Sequence, residues 1–173
     1  MKKLLPFLLL LLVALVGCDD DDSTSPNTSD QEPGITFSTT TLEITQGNSE
    51  SFSLQSQHFD GDVFAISFQL LLSDTTVAIL NSDQITAGPC FGDDALLFAQ
   101  RKETAVYVAI TRIQGDESFQ EDGDLLELEM DGLVNGECNL SIPVDHLVLY
   151  DLDGQAVETA EQTTLEISIA VTD

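Results

Sequence analysis

The stretch Val63-Phe64-Ala65-Ile66-Ser67-Phe68-Gln69-Leu70-Leu71-Leu72 determines how the rest of this chain is interpreted. One side of an extended strand carries its larger apolar residues with period two, namely Phe64, Ile66, Phe68, Leu70 and Leu72. The other side is small or neutral and bears no charge. Because 31 of the 173 residues are acidic, an uncharged strand of this length is expected inside a sheet, with one face in the core. Its second face is either covered or open to a partner.

Short alternating stretches, separated by Gly, Asp and Asn turns, continue from Ile35 to the end of the chain. No stretch has a convincing helical period. About nine strands in this length predict a single all-β domain, a nine-stranded antiparallel β-sandwich. A domain of this size buries about two thirds of its extended-chain surface, which is enough for a stable core.

The N-terminal sequence indicates an export signal followed by a lipid anchor. Residues 1–17 begin with Lys2 and Lys3 and continue as an apolar run too short to span a bilayer comfortably, which is typical of a signal peptide. Leu15-Val16-Gly17-Cys18 resembles a bacterial lipobox, in which Cys18 is lipidated and becomes the first residue. The alternative is an ordinary secretory signal with an incidental cysteine.

Residues 18–34 begin with Cys18, continue with four aspartates and then contain Ser, Thr, Pro and acidic residues, a composition that predicts a disordered tether. The predicted folded domain is 35–173. The lipobox pattern implies several acyl chains on Cys18 and so a lasting membrane anchor. An acidic run after the lipidated cysteine resembles the surface-export signal of Bacteroidetes lipoproteins, whereas in enteric bacteria an aspartate directly after that cysteine, here Asp19, resembles an inner-membrane retention signal. The expected location is a bacterial membrane, at the outer membrane or cell surface.

The charge of the chain excludes nucleic acid as a partner. The formal net charge is −26, and removal of the signal leaves only Arg101, Lys102 and Arg112 as basic residues, so that the mature charge is 3 − 31 = −28. Solubility in a saline habitat is the preferred explanation, and attraction of calcium is the alternative.

Calcium has only weak candidate ligands, and no cofactor is expected. Asp151 and Asp153 lie in an Asp-Leu-Asp-Gly turn, and a second acidic stretch combines Asp116 and Glu117 with residues 121–124. Tight turns need Asp and Gly for backbone reasons alone. Neither stretch completes the spacing of a calcium loop.

Two cysteines, Cys90 and Cys138, remain once Cys18 is assigned to the lipid. In an exported protein two cysteines most often pair, so a disulfide between them is expected. Two unpaired core thiols are the alternative. A metal site is disfavoured because neither cysteine has a second Cys or His at ligand spacing.

Catalytic motifs are absent from the sequence. His58 and His146 are the only histidines, and neither lies in a recognisable motif; surface or turn positions are expected for both. No Gly-x-Ser-x-Gly, His-Glu-x-x-His or phosphate-binding glycine loop occurs. The chain is therefore predicted not to be an enzyme.

The succession of stretches from about Ile35 to Val171 resembles a cohesin domain, the module that binds dockerins in cellulosomes and related assemblies. It implies a nine-stranded jelly-roll sandwich, related to carbohydrate-binding-module sandwiches, and a dockerin-like protein partner. The residues that carry the resemblance are Leu42 to Gly47, the long strand with Asp74 after it, Val77 to Leu80, Ile85 to Gly88, the Tyr107 strand, Asp122 to Leu128, Gly136 to Leu140, and Leu149 to Gly154.

The resemblance implies that the partner lies across a flat sheet containing the long strand and the Tyr107 strand. Alternation gives the expected binding face as Ala65, Ser67, Gln69 and Leu71, with Tyr107, Ala109 and Thr111, extended by Leu97 and Ala99 from a third strand. The alternatives are an ordinary or loop-covered sandwich surface.

The expected function is capture of a dockerin-bearing partner by a membrane-anchored module that faces the surface or the periplasm, in a setting of polysaccharide degradation. Two alternatives stand beside it. One is a carbohydrate-binding module, although the chain has no Trp and only two Tyr residues for glycan stacking, so direct polysaccharide binding is disfavoured. The other is a structural lipoprotein with an orphan cohesin-like domain.

Overall fold

The computed structural model describes residues 34–59, 63–92, 94–113, 122–157 and 163–173. The predicted signal peptide, the Cys18 anchor and nearly all of the tether lie outside these residues, as do Asp116, Glu117 and Glu121. In the described part of the chain no helix has the length and apolar character needed to cross a membrane.

Two β-sheets pack face to face, as the alternating pattern predicts, and the described ranges contain thirteen strands. The first sheet has the order β1-β3-β9-β5, with β6 also paired to β9. It consists of β1 (Gly34–Phe37), β3 (Ser49–Gln57), β5 (Ala78–Ile79), β6 (Ile85–Ala87) and β9 (Gly123–Gly132). The second sheet consists of β2 (Thr41–Thr45), β4 (Ala65–Leu72), β7 (Leu96–Lys102), β8 (Ala105–Thr111), β10 (Gly136–Ile142), β11 (Val148–Tyr150), β12 (Ala156–Val157) and β13 (Leu165–Thr172).

Strand β4 is the centre of the second sheet. One of its edges pairs along nearly its whole length with β8, which in turn pairs with β7. Its other edge pairs with β11 near Ala65 and with β10 near Leu72. From there β11 continues to β12, and β10 continues to β13 and β2. The strand chosen from the sequence as the organising element therefore joins both halves of this sheet.

The alternation in β4 matches its burial residue by residue. Ile66, Phe68, Leu70 and Leu72 are buried, and the residues between them are half-buried. The pattern changes just before the strand: Val63 is fully buried and Phe64 only half-buried, because the regular strand begins at Ala65.

The expectation of a purely antiparallel fold is wrong at one place. Strands β13 and β2 pair in parallel, with Leu42 opposite Ile169 and Ile44 opposite Val171. A parallel pair cannot be joined by a hairpin, and here the whole body of the domain connects the two strands. The sheet thus brings the first and last parts of the described domain side by side.

The expected disulfide between Cys90 and Cys138 is also wrong, since the structure joins neither thiol to the other. The Cys90 sulfur lies 3.0 Å from the Ser56 hydroxyl, and Ser56 pairs with Gly123 at the start of β9. Cys138 lies in β10, where its sulfur contacts the backbone N–H of Ala78 in β5, and Ala78 pairs with Gly132 at the end of β9.

The distance between these two positions explains why no bridge forms. Strand β9 has ten residues, and its ends are about 30 Å apart at the usual rise per residue. A disulfide needs Cα atoms within about 7 Å. Both cysteines are buried rather than in accessible turns, and burial raises the pKa of the Cys90 thiol and of the Cys138 thiol. Their thiols are therefore held protonated at neutral pH.

Candidate functional site

The outward residues of β4 and β8 form an ordered surface on the second sheet. The pairing register places Ala65 opposite Thr111, Ser67 opposite Ala109, and Gln69 opposite Tyr107, with Leu71 opposite Ala105 in the last row. Residues opposite each other in an antiparallel pair share a face, so each row is continuous across the two strands. The residues expected from β4 and β8 do lie together on one outward face.

The expectation for β7 is wrong by one residue. Leu97 and Ala99 pack against the hydrophobic core, whereas Leu96 and Phe98 are exposed by 62% and 59%. The register explains the correction, because Phe98 pairs with outward-facing Ala109 and Leu96 with Thr111. Leu97 and Ala99 therefore do not belong to the outward surface.

We call the outward side of β7, β8, β4 and β11 the uncharged face. Among its described residues none is acidic, and the only cation is Lys102 at one end. Tyr107 adds a third large exposed side chain, at 44%. The uncharged face consists of Leu96, Phe98, Gln100 and Lys102 from β7; Ala105, Tyr107, Ala109 and Thr111 from β8; Ala65, Ser67, Gln69 and Leu71 from β4; and Val148 and Tyr150 from β11.

Phe98 divides the uncharged face into two shallow cavities that share a floor of Ser67 and Ala109. The first, about 420 Å³, is bounded by Phe98 and Tyr107 on one side and by Asp145 and His146 on the other. The second, about 280 Å³, is bounded by Leu96, Phe98, Thr111 and Tyr150. The first cavity therefore combines aromatic rings with ionisable groups, and the second is mainly apolar.

A short 3-10 turn, Val144–His146, carries the ionisable groups of the first cavity. The turn lies between β10 and β11, and His146 Nδ1 contacts Oε1 of Gln69 on β4. His146 Nε2 lies 3.7 Å from an Asp145 carboxylate oxygen. This distance is longer than a hydrogen bond, so the carboxylate keeps most of its accepting capacity.

The outer side of the opposite sheet has a contrasting charge. Strand β9 presents Glu127, Glu129 and Asp131, and each lies opposite a serine of β3. Asp131 accepts hydrogen bonds from Ser49 and Gln84 at 2.6 and 2.7 Å. The uncharged face therefore differs chemically from the outer side of β9, and also from the β2, β10 and β13 part of its own sheet, where Glu43, Glu137 and Glu166 are exposed.

The weak calcium candidates serve a backbone turn. An Asp151 carboxylate oxygen accepts a hydrogen bond from the Gln155 backbone N–H at 2.7 Å, and the Gly154 N–H donates to the Asp151 carbonyl. Asp153 is exposed. Within the described ranges no group of three or more His, Cys, Asp or Glu side chains is placed to hold a metal ion.

Sequence reasoning missed the residues that come from β7, β11 and the 3-10 turn. In β7 the four apolar residues from Leu96 to Ala99 do not alternate with polar ones, so the sequence does not show which of them face the core. A register with β8, where Ala109 is clearly outward, would have placed Phe98 correctly. His146 has no local signal, because only the tertiary fold brings its turn against Gln69.

Comparisons with known proteins give the fold. No protein-family model and no curated protein matches the sequence. A non-cellulosomal cohesin from Archaeoglobus fulgidus matches with a TM-score of 0.63 and 18% identity, over 82% of this chain and 92% of that one. A type II cohesin domain from the cellulosome of Acetivibrio cellulolyticus matches with a TM-score of 0.61 and 15% identity, over 80% of this chain and 94% of that one.

A type I cohesin–dockerin complex from Clostridium thermocellum also matches, with a TM-score of 0.63 and 12% identity, over 82% of this chain and 100% of that one. The strands, their packing in two sheets and these superpositions agree with the fold that the sequence pattern suggested. The chain is a β-sandwich with the cohesin fold.

Proposed function

We propose that this chain is a lipid-anchored module of a bacterial envelope that captures a dockerin-bearing protein on the uncharged face. One observation carries the proposal. In a chain with 31 acidic residues, the outward sides of four neighbouring strands, β7, β8, β4 and β11, carry no carboxylate among their described residues and expose Leu96, Phe98 and Tyr107.

The chemistry of this face suits protein docking. Depletion of charge and enrichment in aromatic residues characterise the centre of protein–protein interfaces. The floor residues Ser67 and Ala109 are small, so a partner can approach the sheet closely and bury Phe98 and Tyr107. Such aromatic anchors supply a large share of the binding energy in interfaces. The face can therefore bind a complementary surface while desolvating few charges of its own, namely Lys102 at one end and Asp145 at the rim of the larger cavity.

The fold supports dockerin as the partner class. The Clostridium thermocellum structure is a cohesin–dockerin complex, and its matching chain is aligned over its whole length. The strong negative charge of the remaining surface favours a partner with basic residues and speeds its capture. Lipidation of Cys18 would hold the module at a membrane, where capture retains the partner.

The test uses every dockerin module encoded in the genome of the source bacterium, each produced as a fusion protein. We expect at least one to bind residues 19–173 of the chain in biolayer interferometry. Ala109→Glu places a carboxylate at the centre of the uncharged face and should weaken this binding at least about a hundredfold, as for loss of an interface centre. Its melting temperature should remain close to that of the parent protein because Ala109 is exposed.

Ser168→Glu is the matched control. Ser168 is exposed on β13 of the same sheet but away from the uncharged face, so this variant should bind as the parent does. Failure of every dockerin to bind would contradict the proposal. Equal binding by Ala109→Glu would place the docking surface elsewhere, and binding to soluble polysaccharide in place of dockerins would favour the carbohydrate-binding alternative.

A further inference from the structure

The larger cavity of the uncharged face has walls of two different kinds. Phe98 and Tyr107 supply aromatic rings on one side, and Asp145 supplies a carboxylate on the other, above a floor of Ser67 and Ala109. The Asp145 side chain is 77% exposed, so its charge is available to an incoming group. The cavity volume of about 420 Å³ is sufficient for a long side chain.

No cation of this chain occupies the cavity in the described residues that line it. Arg101 points to the other side of β7, where its guanidinium donates to Asn81 at 3.2 Å. Lys102 belongs to the row of Ala105, one row beyond Tyr107 and Gln100. The nearest basic group to Asp145 is the His146 ring, whose Nε2 is beyond hydrogen-bond distance at 3.7 Å.

Aromatic rings beside an accessible carboxylate favour a guanidinium over other side chains. The faces of Phe and Tyr attract cations, and Arg does this more often than Lys because its planar group also stacks. The same plane offers parallel N–H groups to a carboxylate, which the compact ammonium of Lys cannot match. A neutral side chain would lack the charge that the Asp145 carboxylate attracts, and an acidic side chain would be repelled by that carboxylate.

We propose that this cavity is the subsite for an arginine of the protein partner, stacked against Phe98 and Tyr107 and paired with Asp145. The inference rests on the proposed function, since a docked protein would supply the side chain. It assigns Asp145 and Phe98 as specificity-determining residues, although neither was expected from the sequence.

A small probe tests the subsite without the partner. The tripeptide Ac-Gly-Arg-Gly-NH2 is titrated into isotopically labelled protein (residues 19–173) in about 0.15 M NaCl, where long-range attraction is largely screened. We expect amide shifts at Ser67, Tyr107 and Ala109 with millimolar affinity. Ac-Gly-Lys-Gly-NH2 should bind about threefold more weakly, and Ac-Gly-Gln-Gly-NH2 should produce no saturable shift.

Asp145→Asn should weaken binding of the arginine tripeptide about threefold, the usual effect of losing one exposed charge pair. Asp153→Asn removes the same charge from an exposed turn outside the cavity and should leave the affinity unchanged. Equal loss in both variants would show that the tripeptide senses only the net charge, and would overturn the proposal. Shifts of the same size at Glu127 and Glu129 on the opposite sheet, or equal binding of the lysine tripeptide, would overturn it too.

The two proposals can fail separately. If the arginine tripeptide binds in the cavity while no dockerin binds, the subsite stands and the dockerin assignment is wrong. If a dockerin binds and Ala109→Glu abolishes its binding, but Asp145→Asn and Asp153→Asn bind it equally, the docking face stands and the arginine subsite is wrong.

Discussion

Leu97 and Phe98 are adjacent in β7 but lie on opposite sides of it. Leu97 packs against the core from an edge strand whose inner side is only half-covered, and Phe98 is exposed on the uncharged face. An incompletely covered inner side also tolerates Arg101, which bonds to Asn81 at the edge of the sandwich. Polarity is therefore a weak guide to orientation in this strand.

Substitution of these two residues by serine should have opposite consequences. Leu97→Ser removes a partly buried apolar side chain and should lower the free energy of unfolding by about 1–2 kcal/mol. Phe98→Ser should change it by no more than about 0.5 kcal/mol, as is usual at the surface. Phe98→Ser should nevertheless weaken dockerin binding at least about tenfold, because it removes an aromatic anchor.

Urea denaturation measures the two stabilities, and interferometry measures the binding. Each variant serves as the control for the other, since both introduce the same side chain at neighbouring positions. The reverse result, with Phe98→Ser the less stable variant and binding unchanged, would mean that β7 is oriented as the sequence first suggested.

At the scale of elements, the contact between β6 and β9 depends on Gly88. The Gly88 N–H donates to the Leu125 carbonyl at 2.9 Å, which holds the end of β6 against β9. A Cβ at this position would lie 2.2 Å from the Asp124 carbonyl oxygen. Because that oxygen belongs to the backbone of a paired strand, the contact can be relieved only by moving the strand.

Gly88→Ala should therefore lower the free energy of unfolding by about 2 kcal/mol or more, with a lower melting temperature in calorimetry. Gly34→Ala in β1 is the matched control, because an added Cβ there has no atom within 4 Å other than those of its own residue and its two chain neighbours. The control should be within about 0.5 kcal/mol of the parent. Similar stabilities for the two variants would contradict the close approach of Gly88 to β9.

At the scale of the whole molecule, the described acidic side chains avoid the uncharged face but not the rest of its sheet, where Glu43, Glu137 and Glu166 are exposed. The outer side of β9 carries three carboxylates, while the uncharged face carries none among its described residues. In the proposed docking, a partner with basic groups would be attracted over about one Debye length by the charge around the face, and few charges of this chain would have to be desolvated.

The predicted anchor concerns the whole chain and is tested in cells. Cys18→Ala should move the protein from the membrane fraction to the soluble fraction and remove incorporation of labelled palmitate, because the lipobox interpretation places the lipid on this cysteine. Ser23→Ala in the tether is the control and should leave both unchanged. Retention of the Cys18→Ala variant in the membrane fraction would rule out the lipobox interpretation.

The sequence by itself determined the β-sandwich class, the central place of β4, and the outward residues of β4 and β8. These follow from the alternation of apolar and polar residues, which is a local property. A run such as Phe68-Gln69-Leu70 is sufficient to predict which residues face the core. The succession of motifs was also sufficient to suggest the cohesin fold.

Only the tertiary structure decided the orientation of β7, the parallel pairing of β13 with β2, and the contact of His146 with Gln69. It also showed that Cys90 and Cys138 lie at opposite ends of β9. Each of these depends on which distant segments become neighbours. Sheet order and register are set by packing of the complete core, so they cannot be predicted from the hydrophobic pattern of a single segment.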